Sequence, residues 1–175
     1  ATTGGVLKGE YNTSGGIEWM NGWSTPIAAV TTDMLLNGTD LYLSTTGSGL
    51  LKLDVNTGDL VTVSGALHNN QAGLAKAVDS SGTEELIIGL LGSATTASGV
   101  QTFDLTSQQF TTSSLLAGLP SNVIQGLTLS SDSLFIATSN GVGHWNLTQN
   151  AWELPITRES GLSDSSIQDV LWDSN

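Results

Sequence analysis

Cysteine is absent from this 175-residue chain, so disulfide cross-links and thiolate metal sites are excluded. Basic residues are scarce. Four Lys and Arg stand against 16 Asp and Glu, a formal net charge of −12. Neutralising a nucleic-acid backbone takes clustered Lys and Arg, and docking on an anionic membrane takes the same, so neither partner fits. No apolar run approaches the roughly 18 residues of a membrane-spanning helix. The strongest, Leu86 to Leu91, soon gives way to Ser93, Thr95 and Thr96. No signal peptide is visible and the chain starts at Ala1, which reads as a processed protein or a piece of a longer one.

What is present is small and polar. Charged residues make up 11% of the chain, under half of the roughly 25% usual in soluble domains. Their place is taken by 22 Ser, 22 Thr and 21 Gly, while hydrophobic residues hold at 38%, enough for a core. These residues are arranged in a repeat. Gly followed by Val or Leu, then an acid or Asn five positions after the Gly, occurs four times: Gly5-Val6 with Glu10, Gly49-Leu50 with Asp54, Gly99-Val100 with Asp104, and Gly141-Val142 with Asn146. The glycines are 44, 50 and 42 residues apart. The long middle interval reflects a small-residue insertion over 92–98, which a surface loop tolerates cheaply.

A large apolar residue follows the polar one by six positions at Leu60, Phe110 and Trp152; in the first copy it slips by one, to Ile17. Strand-like runs precede three of the glycines: Leu41-Tyr42-Leu43-Ser44, Leu86-Ile87-Ile88-Gly89 and Leu134-Phe135-Ile136-Ala137. Turn residues such as Asn37-Gly38, Ser81-Gly82 and Asn56-Thr57-Gly58 separate them. No segment carries a ten-residue helical pattern; Leu74 to Val78, the best candidate, aligns with a first strand. A four-stranded unit of about 42 residues, repeated radially, is a β-propeller blade. The expected fold is therefore all-β, a propeller of about four blade-equivalents that forms an arc, or half, of a larger ring.

Leu119-Pro120-Ser121-Asn122-Val123-Ile124, then Leu127, Asp132, Leu134-Phe135-Ile136-Ala137-Thr138 and Gly141-Val142, resembles the repeat of the two-component regulator propeller family. Ser133 and Phe135 depart from it, standing where Gly or Asn and Trp are common. Gly161 to Ile167 opens a further copy. The unit Leu41-Tyr42-Leu43 through Leu53-Asp54-Val55-Asn56-Thr57-Gly58-Asp59-Leu60 is similar to the repeat of quinoprotein-like propellers. Both resemblances imply the fold; in such families function lies in loops or attached domains.

Aligned on the repeat, the whole chain, 1–175, is one propeller region. Its whole blades run approximately over 27–63, 75–114 and 122–156, and a partial blade is shared between 1–19 and 166–175. Ala1 to Val6 matches Ala137 to Val142, and Ile167-Gln168 matches Ile124-Gln125. The split blade thus takes a lone first strand from the C-terminal end and its last two strands from the N-terminal end. Propellers have about 4–8 blades, so the expected partner is a second copy, a homodimer completing an eight-bladed ring through open edges.

Candidate chemistry is sparse. His68-Asn69-Asn70 connects two blades and Arg158 sits in a loop after a fourth strand; with Trp23, beside the Asn21-Gly22 turn, these are the candidate ligand-binding residues. His144 aligns with Lys8, Lys52 and Thr102 and reads as a solvent-side strand residue. Glu84-Glu85 reads as a solvated strand edge. Glu10, Asp54, Asp104 and Asn146 occupy one equivalent position and read as turn-forming residues bonding to backbone. Asp54 to Asp59 has oxygen ligands at alternate positions, yet Gly65 stands where a calcium loop requires Glu. No catalytic residues, metal or cofactor are expected. The expected function is a non-catalytic binding or scaffold module, the sensor-like or surface part of a larger secreted protein, extracellular or periplasmic. The alternative is a fragment of a propeller enzyme, a quinone-cofactor dehydrogenase or a lyase, whose active-site residues lie on missing blades.

Overall fold

A computed structural model describes residues 6–79, 81–91, 98–111 and 118–173, with backbone alone for residues 11 and 20–25. Every described strand pairs antiparallel with its sequence neighbour. A two-stranded hairpin, β1 (Val6–Tyr11) and β2 (Ile17–Thr25), comes first. Three four-stranded meanders follow. The first is β3 (Val30–Asn37), β4 (Asp40–Thr46), β5 (Leu50–Asp54) and β6 (Leu60–Thr62). The second is β7 (Gln71–Val78), β8 (Glu84–Leu90), β9 (Gly99–Asp104) and β10 (Gln109–Phe110). The third is β11 (Ile124–Leu129), β12 (Ser133–Thr138), β13 (Gly141–Asn146) and β14 (Ala151–Trp152). The one described helical element is a single 3-10 turn, Arg158–Ser160.

The repeat residues build the blades. Gly49, Gly99 and Gly141 open the third strand of each at φ of 73°, 90° and 113°, a left-handed backbone that costs a side chain about 1–2 kcal/mol. The hydroxyls of Thr45 and Thr138 donate to the carbonyls of Gly49 and Gly141 at 2.7 and 2.8 Å, closing the same turn twice. Asp54 accepts from the N–H groups of Asn56 and Thr57, Asp104 from those of Thr106 and Ser107, and Asn146 from that of Gln149. In the three whole blades the repeated polar position is therefore a turn-forming device, and those backbone N–H groups hold the Asp54 and Asp104 carboxyls below their usual range. The aligned apolar residues face each other as cross-strand pairs: Leu53 with Leu60, Phe103 with Phe110, and Trp145 with Trp152.

Blades stack face to face, and the core lies between them. Tyr42, Leu50, Leu74, Leu86, Ile88 and Phe103 fill the first seam. Ala75, Ile87, Val100, Ile124, Leu134 and Ile136 fill the second. Val6, Ile27, Leu43 and Leu53 join the hairpin to the first blade. The innermost strands β3, β7 and β11 run beside one another, and each carries a register shift at the same place: between Thr31 and Asp33, Gln71 and Gly73, and Ile124 and Gly126.

Two details differ from the sequence reading. β2 continues to Thr25, beyond the expected limit at 19, by pairing Thr25 with Val6 across a bulge. The expected lone first strand at 166–175 forms no ladder over its described residues, 166–173, because a single strand without an antiparallel partner cannot satisfy its backbone. It lies along the third blade instead. Ile167 N–H donates to the Thr138 carbonyl at 3.0 Å, and the Trp172 ring stacks on Phe135 at 5.5 Å.

Candidate functional site

The candidate residues from sequence sit on separate elements. In the connection from β6 to β7, the Asn69 carbonyl accepts the N–H groups of Gly47 and Gly49 at 3.0 and 2.9 Å, and the Asn70 carbonyl accepts that of Leu91 at 2.8 Å. His68 Nδ1 lies 3.0 Å from Asn70 N and fixes the turn. This segment clasps the first blade to the second. Arg158 is exposed on the 3-10 turn, beside a hollow of about 400 Å³ lined by Pro120, Asn140, Pro155 and Ser165. Its charge helps to hold the Asp164 carboxyl below its ordinary value, behind the N–H groups of Ser166 and Ser165. Trp23 lies on β2 and its side chain is outside the described residues.

A different set of residues converges. The register shifts turn one residue of each inner strand toward a common cleft of about 350 Å³: Thr32, Ala72 and Gln125, joined by Gln168 from the C-terminal segment. The next position in each copy is Asp33, Gly73, Gly126 and Asp169, and all four also line the cleft. The first and last copies carry the acids and the two between them carry glycine, and at Gly126 the reason is steric. A Cβ at Gly126 would sit 2.5 Å from Asp169 Oδ1, and one at Gly73 would sit 3.6 Å from Asp33 Oδ2.

The polar groups are positioned by hydrogen bonds. Asp33 accepts from the N–H groups of Met34 at 2.7 Å and Leu74 at 2.9 Å. Thr32 donates to the Gln71 carbonyl at 2.9 Å. Gln125 and Gln168 both direct their amide nitrogens at Ser166 Oγ, at 3.4 and 3.2 Å. Gln125 Oε1 is left buried without a partner. The three lysines are engaged elsewhere: Lys52 with Asp40, Lys76 with Glu84 and Asn37, and Lys8 with the Val55 carbonyl. The lining of the cleft thus contains carboxylates and no cation.

No protein-family model matches the chain, and no curated protein matches it in sequence. Solved structures match it in fold. The whole chain superposes on 52% of the computationally designed protein Ika8, at 14% identity and a TM-score of 0.62. It covers 17% of the extracellular domain of BT3049 from B. thetaiotaomicron, named as part of a hybrid two-component system, over 79% of its own length at 23% identity and a TM-score of 0.53. The WD40 repeats of RRP9 match 78% of this chain over 40% of theirs, at 15% identity and a TM-score of 0.52. Together with the three stacked meanders, these matches establish the architecture.

The chain is a partial β-propeller. Its inner-strand cleft is the axial position of the propeller, and the sequence carried one signal of it. Gln125 and Gln168 align on the repeat, while Asp33 and Asp169 break a position that is Gly in the intervening copies.

A second hollow of about 290 Å³ lies between the second and third blades, with Glu85 facing Ile87, Val100, Leu134 and Trp145. Burial pushes the Glu85 carboxyl above its ordinary value, and the nearby charges of Asp79 and Asp104 push the same way against a Thr102 hydrogen bond. The Glu84-Glu85 pair is therefore not a uniformly solvated edge, because adjacent residues of a strand face opposite ways. Glu84 pairs with Lys76 at 2.8 Å, whereas Glu85 turns into the seam. His144 is partly buried, stacked on Phe135 at 4.6 Å with Nε2 3.0 Å from Ser133 Oγ.

Proposed function

We propose that this partial propeller is a non-catalytic binding or scaffold module, the sensor-like, surface-exposed part of a larger secreted protein, of the two-component regulator propeller kind. One observation carries the reading. The polar residues repeated at the end of the third strand are consumed in turns, while Asp33 and Asp169, which break the repeat, line the axial cleft beside Gln125 and Gln168. A binding site requires a few placed polar groups in a concave site on a rigid scaffold, and the cleft supplies them. The acidic surface and the fold shared with extracellular sensor domains support the extracellular setting.

Self-association belongs to this reading. β1 pairs with β2 alone among the described strands, leaving an edge open to another chain. Leu7, Ile17 and Trp19 are exposed on this hairpin, and Leu171 and Trp172 on the C-terminal segment. A second copy would cover both, and an eight-bladed ring has room for two arcs of this size.

The test is a nitrogen–proton correlation spectrum of the chain titrated with pooled metabolites, with each pool analysed afterwards. The expected result is selective movement of the Gln125 and Gln168 side-chain amides, with every compound recovered unchanged. Conversion of a compound by the chain would overturn the non-catalytic reading.

A further inference from the structure

We propose that Asn37 is a site of spontaneous covalent modification, converting through a cyclic imide with Gly38 into aspartate and isoaspartate, and that Lys76 promotes the step. This chemistry needs no bound ligand and stands apart from the binding-module reading.

Three asparagines in the chain precede glycine: Asn21, Asn37 and Asn140. A residue without a side chain leaves its own amide nitrogen free to approach the preceding side chain. The Asn21 side chain lies outside the described residues. The fold treats the other two differently. Gly38 sits in the exposed turn between β3 and β4 at φ 63°, and nothing lies within 4 Å of where a side chain would begin. Its N–H has no partner among the described residues. Only the last ladder pair, Asn37 with Asp40, has to open for the turn to rotate, and such ends fray at little cost. Gly141 is instead held at the start of β13, paired with Thr138, where a Cβ would meet the Ile156 carbonyl at 2.5 Å. Asn140 donates its side-chain amide to the Pro120 carbonyl at 3.3 Å.

Asn37 also has an electrophilic aid. Lys76 Nζ, on β7, donates to Asn37 Oδ1 at 2.8 Å across the seam between the first two blades, while pairing with Glu84 at 2.8 Å. That contact strengthens as negative charge develops on the oxygen. The Gly38 nitrogen gives up its proton and bonds to Asn37 Cγ. The Cγ–Nδ2 bond breaks, and Nδ2 leaves with a proton as ammonia. Water then opens the imide. Attack at Cγ leaves aspartate, and attack at the Asn37 main-chain carbonyl leaves isoaspartate. Both products place a carboxylate beside Lys76, and isoaspartate adds a methylene to the backbone at the end of β3.

The experiment holds the 175-residue chain, folded and in guanidinium, at mildly alkaline pH. Peptide mass spectrometry maps acid formation, with fragmentation that separates aspartate from isoaspartate. In the folded chain Asn37 should convert about tenfold faster than Asn140, the effect of a barrier higher by about 1.4 kcal/mol at the hemmed-in site. In guanidinium the two should convert alike. Lys76→Met should slow folded Asn37 by about tenfold, less than a fully buried oxyanion donor contributes because Lys76 is part-exposed. Its rate in guanidinium should not change, and Lys76→Arg should keep the folded rate. An intact Asn37 in the folded chain, over a period in which the denatured chain converts, would overturn the proposal. Conversion of folded Asn140 as fast as Asn37 would also overturn it. An unaltered folded rate in Lys76→Met would remove Lys76 from the step.

Discussion

Asp33 Oδ2 accepts the backbone N–H of Leu74 at 2.9 Å, so a side chain from the inner strand of one blade substitutes for a ladder bond on the next. The bond spans the seam at the axial end, where no continuous sheet joins the blades. Asp33→Ala would leave the Leu74 N–H without its acceptor, and losing one partner of such a bond costs about 1–3 kcal/mol. A matching fall in the urea midpoint, with unchanged slope, is the expected measurement. An unchanged midpoint would show that water replaces the carboxylate.

Gln71 occupies the inner-strand position that is Thr31 in the preceding blade and Ile124 in the following one. Its side chain is 0% exposed, and neither amide atom has a partner. Replacing an unsatisfied buried amide with an apolar group of similar size removes its desolvation cost. Gln71→Met should therefore stabilise the chain by about 1–3 kcal/mol, raising the denaturation midpoint. A destabilised variant would mean that the amide is bonded in solution.

Gly126 has no space for a side chain: a Cβ there meets Asp169 Oδ1 at 2.5 Å and its Cα at 3.3 Å. Gly126→Ala should push the C-terminal segment off β11 while leaving the third blade paired. Trp172, stacked on Phe135 at an interplanar angle of 5°, would report the release as a shift in fluorescence, together with faster amide exchange at Ile167. Unaltered exchange at Ile167 would count against the packing described.

Acid and alkaline limbs of the stability curve should have different origins. The Glu85 carboxyl is raised from its ordinary 4.5, so the folded chain holds this proton more tightly than the unfolded one. Its contribution to stability is fully present below 4.5 and is lost as pH rises through the folded value. Asp54, Asp79, Asp104 and Asp164 are lowered from 3.8. They stabilise above 3.8, and that stabilisation disappears as pH falls through their folded values. Glu85→Gln should gain stability relative to the unmodified chain on going from pH 4 to pH 7. Parallel melting-temperature profiles for the two would refute this.

Open edges predict association. Light scattering across a concentration series should show mass growing toward that of a dimer, and Trp19→Glu, on the exposed hairpin, should shift it back. A constant monomer mass at every concentration would sink the self-association proposal.

The sequence by itself determined the blade. Cross-strand partners recur at fixed spacing, so aligning copies on Gly49, Gly99 and Gly141 also paired Leu53 with Leu60, Phe103 with Phe110 and Trp145 with Trp152. The turn role of Asp54, Asp104 and Asn146 was legible for the same reason: an Asx turn is closed by residues two or three positions away. The site was not local in this way. Asp33, Gln125 and Asp169 lie far apart in sequence, and they line one cleft only because the stacking of the blades brings β3, β11 and the C-terminal segment together. Spacing left Asn69 and Asn70 as candidate ligand-binding residues because the N–H groups that their carbonyls accept, those of Gly47, Gly49 and Leu91, lie about 20 residues away on other elements. Short-range hydrogen bonding and side-chain alternation are written in spacing; the stacking of blade on blade, which decides what faces the cleft, appears only in the folded chain.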